Sequence, residues 1–306
     1  MTMTAPTVTG VCPVLSAAFD DDGAVDLSDF ASLCRYVVDS GVRSLMVFGV
    51  ATENSKLNDQ EREAMLETLV RERRSAPVSI VATVADHSTE LAMARAHAWV
   101  EAGADAINIL PSYFLAPPQP EVLRHLSSIL DSVSVPVIIQ SLPSGGNEVS
   151  LRDIVALHAD HPNLMQVKVE NTPAADLIRD VTRFSAGKVS SLVGWGGLEW
   201  EEAAQAGALG VQPGCSFIEL YLDAQAYLES DDHAGFARAF SPLRPALTSW
   251  MRHPEVLIAI EKHILRERGI ISSQRTRHPS AALGTDDYAF ADQILSLVAA
   301  RSAHGG

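Results

Sequence analysis

The chain is short of basic charge. Its 306 residues carry 23 Lys plus Arg against 38 Asp plus Glu, a formal net charge of −15. A surface of that sign repels phosphate backbones and anionic lipid, so neither nucleic acid nor a membrane surface is expected as a partner. An anionic ligand would need a local cation to hold it against that field. Cysteine is scarce too: Cys12, Cys34 and Cys215 are too few and too scattered for a disulfide framework or a clustered zinc site. No metal is expected, and a reducing cytoplasm is the expected location. No apolar run approaches the ~18 residues of a membrane span. Residues 1–10 lack the basic residue and apolar stretch of a secretory signal.

What is present is a globular composition, with 47% hydrophobic and 20% charged residues. Eight short β-like segments, rich in Val and Ile and bounded by Gly, Pro, Asp or Asn, fall at 11–17, 44–48, 79–83, 106–109, 137–140, 165–169, 191–193 and 210–212. Helical patterns lie between most of them. Asn58 followed by Asp59 and Glu61 reads as a capped helix start, Ser150 with Asp153 as another, and Pro173 as a first-turn proline. Strands alternating with helices imply a parallel sheet with crossover helices, and eight such units imply an α/β fold, a closed (β/α)8 TIM barrel over residues 1–217. Residues 218–306 read as a C-terminal helical region, with helices over 220–229, 235–250 and 255–268. A doubly wound open sheet is the structural rival.

Active sites of such barrels lie at the C-terminal ends of the strands. The chain has only four lysines. Lys56 and Lys188 read as loop residues and Lys262 as part of a charged helix. Lys168 is different. In the run Met165 to Glu170 the period of two puts Gln166, Lys168 and Glu170 on one face and Val167 and Val169 on the other. With the valines against the helices, the polar trio points into the barrel. Burial disfavours the charged form of a lysine, and a neutral amine is a nucleophile suited to Schiff-base formation with a keto acid. The alternative from spacing alone is a Lys168–Glu170 ion pair without chemistry.

Several segments in this order resemble the dihydrodipicolinate synthase / N-acetylneuraminate lyase family: residues 19–26, Gly49 to Leu57 with Glu61, Pro111-Ser112-Tyr113-Phe114, Pro136 to Pro143, Lys168, Gly194, residues 207–210, and Lys262 with Gly269, Arg277 and Pro279. The resemblance covers nearly the whole chain. It implies a (β/α)8 barrel, a Schiff-base lysine at Lys168, a 2-oxo acid such as pyruvate or a keto-deoxy sugar acid as substrate, and no cofactor beyond the imine itself. It also implies a homo-oligomer, dimer or tetramer, with Tyr113 reaching a neighbouring subunit's site.

The departures are informative. Where the family carries two hydroxyl residues after Gly49, this chain has Val50 and Ala51, with Thr52 one place further on. The family's strand-five tyrosine falls on Gln140, and a neutral amide cannot titrate as a general acid or base. The arginine that grips the synthase's aldehyde substrate falls near Gly145. Synthase activity is therefore not expected. Glu170 is the leading candidate for the missing acid/base, with Glu53 next but buttressing its loop in the family. Gln140 and Gln212 are candidate hydrogen-bonding groups, and Val50, Ala51, Thr52 and Gly194 line the expected substrate site.

Weaker signals have plainer explanations. Residues 194–197, Gly-Trp-Gly-Gly, suggest a phosphate cradle or simply a roomy turn. His158 and His161 read as helix-end histidines rather than metal ligands, and Asp20-Asp21-Asp22-Gly23 as a turn rather than a calcium loop. Three functions follow in order: a Schiff-base lyase of aldolase or dehydratase type, a noncatalytic or regulatory ligand-binding protein on the same scaffold, and a phosphate-ligand barrel.

Overall fold

The computed structural model describes residues 8–112, 115–142 and 149–304. Eight strands form one parallel sheet: β1 (Gly10–Val11), β2 (Ser44–Val47), β3 (Ser79–Val84), β4 (Ala106–Ile109), β5 (Val137–Ser141), β6 (Leu164–Val169), β7 (Ser190–Val193) and β8 (Ala208–Val211). Their order is β1-β8-β7-β6-β5-β4-β3-β2. Gly10 and Val11 pair with Gly210 and Val211, and just beyond β1 a parallel bridge joins Val14 to Met46. This is the (β/α)8 barrel, with helices after the strands and further helices following β8.

The first strand is shorter than the 11–17 expected. Pro13 has no N–H to give a ladder and its fixed φ interrupts the extended run. The helices that separate the early strands are α1 (Leu27–Asp39), α2 (Asp59–Arg73), α3 (Thr89–Glu101) and α4 (Gln119–Ser132). Those between the later strands are α5 (Leu151–Ala156), α6 (Ala174–Phe184) and α7 (Trp200–Gln205). At α2 the capping box is complete: Glu61 N–H donates to Asn58 Oδ1 at 2.9 Å, and Asn58 N–H donates to the Glu61 carboxylate at 2.9 Å. Pro173 sits at the cap of α6, just outside its first turn.

After β8 come α8 (Ile218–Glu229), α9 (His233–Phe240), α10 (Arg244–Trp250), α11 (Pro254–Glu267) and α12 (Thr285–His304). The single helix expected over 235–250 is two, separated by a short turn at Ser241–Leu243. Pro242 and Pro245 each open a new helical segment, because proline fits a first turn and breaks an interior. The helix α12 had no counterpart in the sequence reading.

The chain divides into two compact units, one of Met1–Cys12 with Ser79–Gln212 and one of Pro13–Val78 with Pro213–Gly306. Each unit draws on two stretches of chain. The first unit holds β1 and β3 to β8. Its outer faces are apolar, with Val167 and Val169 of β6 and Ile107 and Ile109 of β4 fully buried. Its inward positions are polar to an unusual degree, including Thr83, Asn108, Gln140, Gln166 and Lys168, all buried. The second unit holds β2, α1, α2 and α8 to α12, and Tyr221, Phe236, Phe240 and Trp250 of α8 to α10 are buried in it. Phe236 and Phe240 stack at 5.2 Å between ring centroids.

Candidate functional site

Strand β6 carries the lysine. Its register pairs Gln140 with Lys168 on one side and Lys168 with Leu192 on the other, so these side chains share the inward face. Lys168 is 6% exposed. Its Nζ lies 2.8 Å from Glu170 Oε1. Glu170 follows the strand and is held there by its backbone: its N–H donates to Ser141 O at 3.1 Å, and its carbonyl accepts from the Trp195 indole N–H. The expectation that Gln166, Lys168 and Glu170 share one face holds, but they do different things. Gln166 plugs the barrel below the lysine, its amide donating to Val8 O at 2.9 Å and accepting from Val8 N–H at 3.2 Å.

Gly194 explains how the carboxylate reaches the amine. A Cβ on Gly194 would lie 2.4 Å from both Cγ and Oε1 of Glu170, so only glycine leaves that side chain its place. The turn that follows, Trp195–Gly197, begins beside the Glu170 carboxylate, a poor neighbour for a phosphate.

Gln140 is 3% exposed and its Oε1 accepts from Asn108 Nδ2 at 3.1 Å. Asn108 was missed by the sequence reading, although a lone polar residue in the run Ala106-Ile107-Asn108-Ile109 was the signal. Gln212 is buried as well. Its Nε2 sits 3.6 Å from Cys12 Sγ, and its Oε1 has no partner among the described residues. Tyr113 and Gly145 lie outside the described residues.

The remaining predicted residues belong to the second unit, in the loop after β2. Gly49 is forced by its neighbours, since a Cβ there would meet Val14 Cγ1 at 2.8 Å. Val50 is 44% exposed and Ala51 is buried. Thr52 is fully buried and its hydroxyl donates to Leu15 O at 2.6 Å. That bond spends the Thr52 proton on the backbone of the segment that follows β1. Glu53 is tied down on both oxygens: Oε1 lies 2.5 Å from Lys262 Nζ, while Oε2 lies 3.2 Å from Lys56 Nζ and accepts from Arg277 N–H at 3.1 Å. Glu53 is therefore a buttress.

Lys262 lies in the charged helix α11, where the sequence puts it. It is fully buried there, donates to Arg275 O at 2.7 Å, and lies 4.0 Å from the Phe19 ring centroid. Burial pushes its amine down to about 8, with the Glu53 carboxylate opposing. Lys56 is likewise no free loop cation, since its Nζ also meets Glu255 Oε2 at 2.6 Å. Next to Lys262, Glu261 accepts from the N–H groups of Cys215 at 2.8 Å and Ser216 at 2.9 Å. Burial pushes its carboxyl up to about 7 against those two bonds.

The other motifs are structural. Asp20 Oδ1 accepts from Asp22 and Ala24 N–H groups at 3.0 and 2.8 Å, an Asx turn. His158 meets Leu164 O at 2.8 Å, whereas His161 pairs with Ser127 at 2.7 Å and Asp131 at 3.0 Å, so the two histidines do not converge. Among the described residues no helix is long and apolar enough to cross a membrane, and no three His, Cys, Asp or Glu side chains converge as metal ligands.

L-2-keto-3-deoxyarabonate dehydratase of Azospirillum brasilense is 26% identical over 289 residues, 90% of each chain. A 4-hydroxy-tetrahydrodipicolinate synthase of Bartonella quintana is 31% identical over 160 residues, 52% of this chain and 54% of that one. Among solved structures, a sialic acid aldolase of Ruminococcus gnavus superposes with a TM-score of 0.86 at 20% identity, covering 97% of this chain and 98% of the other. Dihydrodipicolinate synthase of Rhodopseudomonas palustris superposes with a TM-score of 0.85 at 22% identity, covering 96% and 98%. These two structures speak for the fold. With a family match running from residue 7 to residue 296, the chain belongs to the dihydrodipicolinate synthetase family.

Proposed function

We propose that the protein is a lyase of aldolase or dehydratase type in which Lys168 forms an imine with a 2-oxo acid. The family is one of lyase-type enzymes, and the relatives named above include a dehydratase and an aldolase. The observation that carries the reading is the inward Lys168, buried at the end of β6 with the Glu170 carboxylate 2.8 Å away in the space that Gly194 leaves it. Lys168 Nζ attacks the C2 carbonyl and water leaves, giving an iminium that draws electrons from C3. Glu170 takes the C3 proton. In a substrate with a hydroxyl on C4, the enamine expels that hydroxyl, Glu170 returns its proton to it, and water departs. Hydrolysis of the remaining iminium frees Lys168. The imine is the electron sink, so the scheme calls for no metal or organic cofactor.

The resemblance to a dehydratase along nine-tenths of its length favours a keto-deoxy sugar acid over the synthase reaction. Gln140 in the tyrosine position supports the same choice, since the amide cannot exchange protons near neutrality. A homo-oligomer in which Tyr113 reaches a neighbouring site, and a cytoplasmic setting, belong to the same proposal. Borohydride reduction in the presence of pyruvate and a panel of longer 2-oxo acids, followed by peptide mass mapping, tests it. We expect an adduct on Lys168. No adduct with any acid would remove the imine mechanism.

The spent hydroxyl of Thr52, with Val50 and Ala51 beside it, favours one other reading, a noncatalytic ligand-binding protein. It predicts ligand-induced thermal stabilisation without turnover, whereas the lyase reading predicts turnover that Lys168→Ala abolishes.

A further inference from the structure

We infer that Asn108 is a positioning residue that sets the polarity of the Gln140 amide, and that Gln140 thereby reads a substrate hydroxyl two carbons beyond the imine carbon. The inference rests on the imine reading above. Asn108 is fully buried on β4, and its Nδ2 donates to Thr83 Oγ1 at 3.3 Å and to Gln140 Oε1 at 3.1 Å. Its own Oδ1 is left without a partner among the described residues. The reverse orientation of the Asn108 amide would fill that acceptor and strand two buried donors instead. An under-used carbonyl is the cheaper vacancy, so the Asn108 amide settles with its nitrogen toward Gln140.

The consequence falls on Gln140. With Oε1 occupied, the group it has to offer is the Nε2 amide with two N–H donors. Gln140 is the register partner of Lys168, and neighbouring strands lie about 4.8 Å apart. A donor in that position is within reach of atoms on C3 and C4 of an acid joined through C2 to Lys168 Nζ. An N–H donor matches the lone pairs of a hydroxyl and stabilises its departure as water, without itself changing protonation state. In this chain the tyrosine position has thus exchanged a titrating group for an oriented, non-titrating one. Asn108 fixes the direction of the exchange.

The test compares two acids that differ by one hydroxyl, 4-hydroxy-2-oxobutyrate and 2-oxobutyrate. The readout is the concentration of each that gives half-maximal borohydride trapping on Lys168, with folding checked by circular dichroism. In the wild-type protein the hydroxylated acid should trap about tenfold more readily, the worth of one such hydrogen bond. Gln140→Leu should bring the ratio close to one. Asn108→Leu and the isosteric Asn108→Asp, which replaces the donor facing Gln140 by an acceptor, should lower it nearly as far. The double variant Asn108→Leu/Gln140→Leu should lose nothing more. Should Asn108→Leu fail to fold, Asn108→Asp and Thr83→Val carry the comparison.

A structural role for Asn108 alone would weaken trapping of both acids in step and keep the tenfold ratio, and that result overturns the inference. So does a wild-type ratio of one. Absence of any Lys168 adduct in the wild-type protein would sink the imine reading itself, a failure distinct from either.

Discussion

Two buried lysines, one in each unit, have opposite circumstances. Lys262 on α11 spends its ammonium on Glu53 and on Arg275 O, and presses against the Phe19 ring. Lys168 on β6 has Glu170 as its partner at 2.8 Å, beside a position that only glycine can occupy. Burial is thus shared and the unspent bonding capacity is not. A lysine whose donors are all taken holds a structure together, whereas one with donors to spare can do chemistry. The acidic neighbours differ in the same way: Glu53 is clamped by two lysines and a backbone N–H, while Glu170 faces one amine.

The largest expected effect breaks this comparison at the chemistry. Lys168→Ala should abolish both imine trapping and turnover, measured by mass mapping and by substrate loss. Lys262→Met should do the reverse. It leaves the buried Glu53 short of its nearest cation, and such a rupture costs about 3–5 kcal/mol, read as a lower urea midpoint. Lys168→Met should cost less stability than that, because Glu170 keeps some contact with solvent. Equal losses from the two methionine variants would erase the distinction between the two lysines.

Gly194→Ala sharpens the first unit's half. Its Cβ would displace Glu170, and we expect turnover to fall about 10–100-fold with a stability cost of about 1–3 kcal/mol. Unchanged turnover would show that Glu170 need not sit where it does.

The second unit's stability should also carry a pH signature from Glu261. Its carboxyl is raised from an unfolded value of 4.5 to about 7, so the folded state holds the proton more tightly between those values. That contribution to stability is complete below pH 4.5 and is lost as pH rises through 7. The wild type should therefore lose about 1–3 kcal/mol relative to Glu261→Gln between pH 5 and pH 8, measured as the difference in urea midpoints. A pH-independent difference would refute it. The smallest effect belongs to Thr52→Val, which removes one hydrogen bond to Leu15 O and should cost about 1 kcal/mol without touching imine trapping.

Much of the fold was legible because strand signals are local. Val and Ile runs at fixed alternation mark seven of the eight strands within a few residues, and the Asn58 capping box marks a helix start without reference to anything distant. Where local rules compete, the reading slipped. Pro13 cut the first strand short, and Pro242 and Pro245 split one helix into two. Period two places Lys168 and Glu170 on one inward face of β6, whereas Gln140 is singled out only by the family resemblance. The site was illegible at Asn108 and Lys262, whose partners lie 32 and more than 200 positions away in the chain.

The sequence by itself determined the alternation of strands and helices and the inward face of β6, because each follows from periodicity, and its resemblance to the family marked position 140 as one where a titrating group is replaced by an amide. Only the tertiary structure decided which polar groups are already spent. Thr52 gives its hydroxyl to Leu15 O, Glu53 its carboxylate to Lys262 and Lys56, and Asn108 its amide to Gln140. A hydrogen bond is a fact about distance, and sequence separation does not encode distance between residues brought together by the fold.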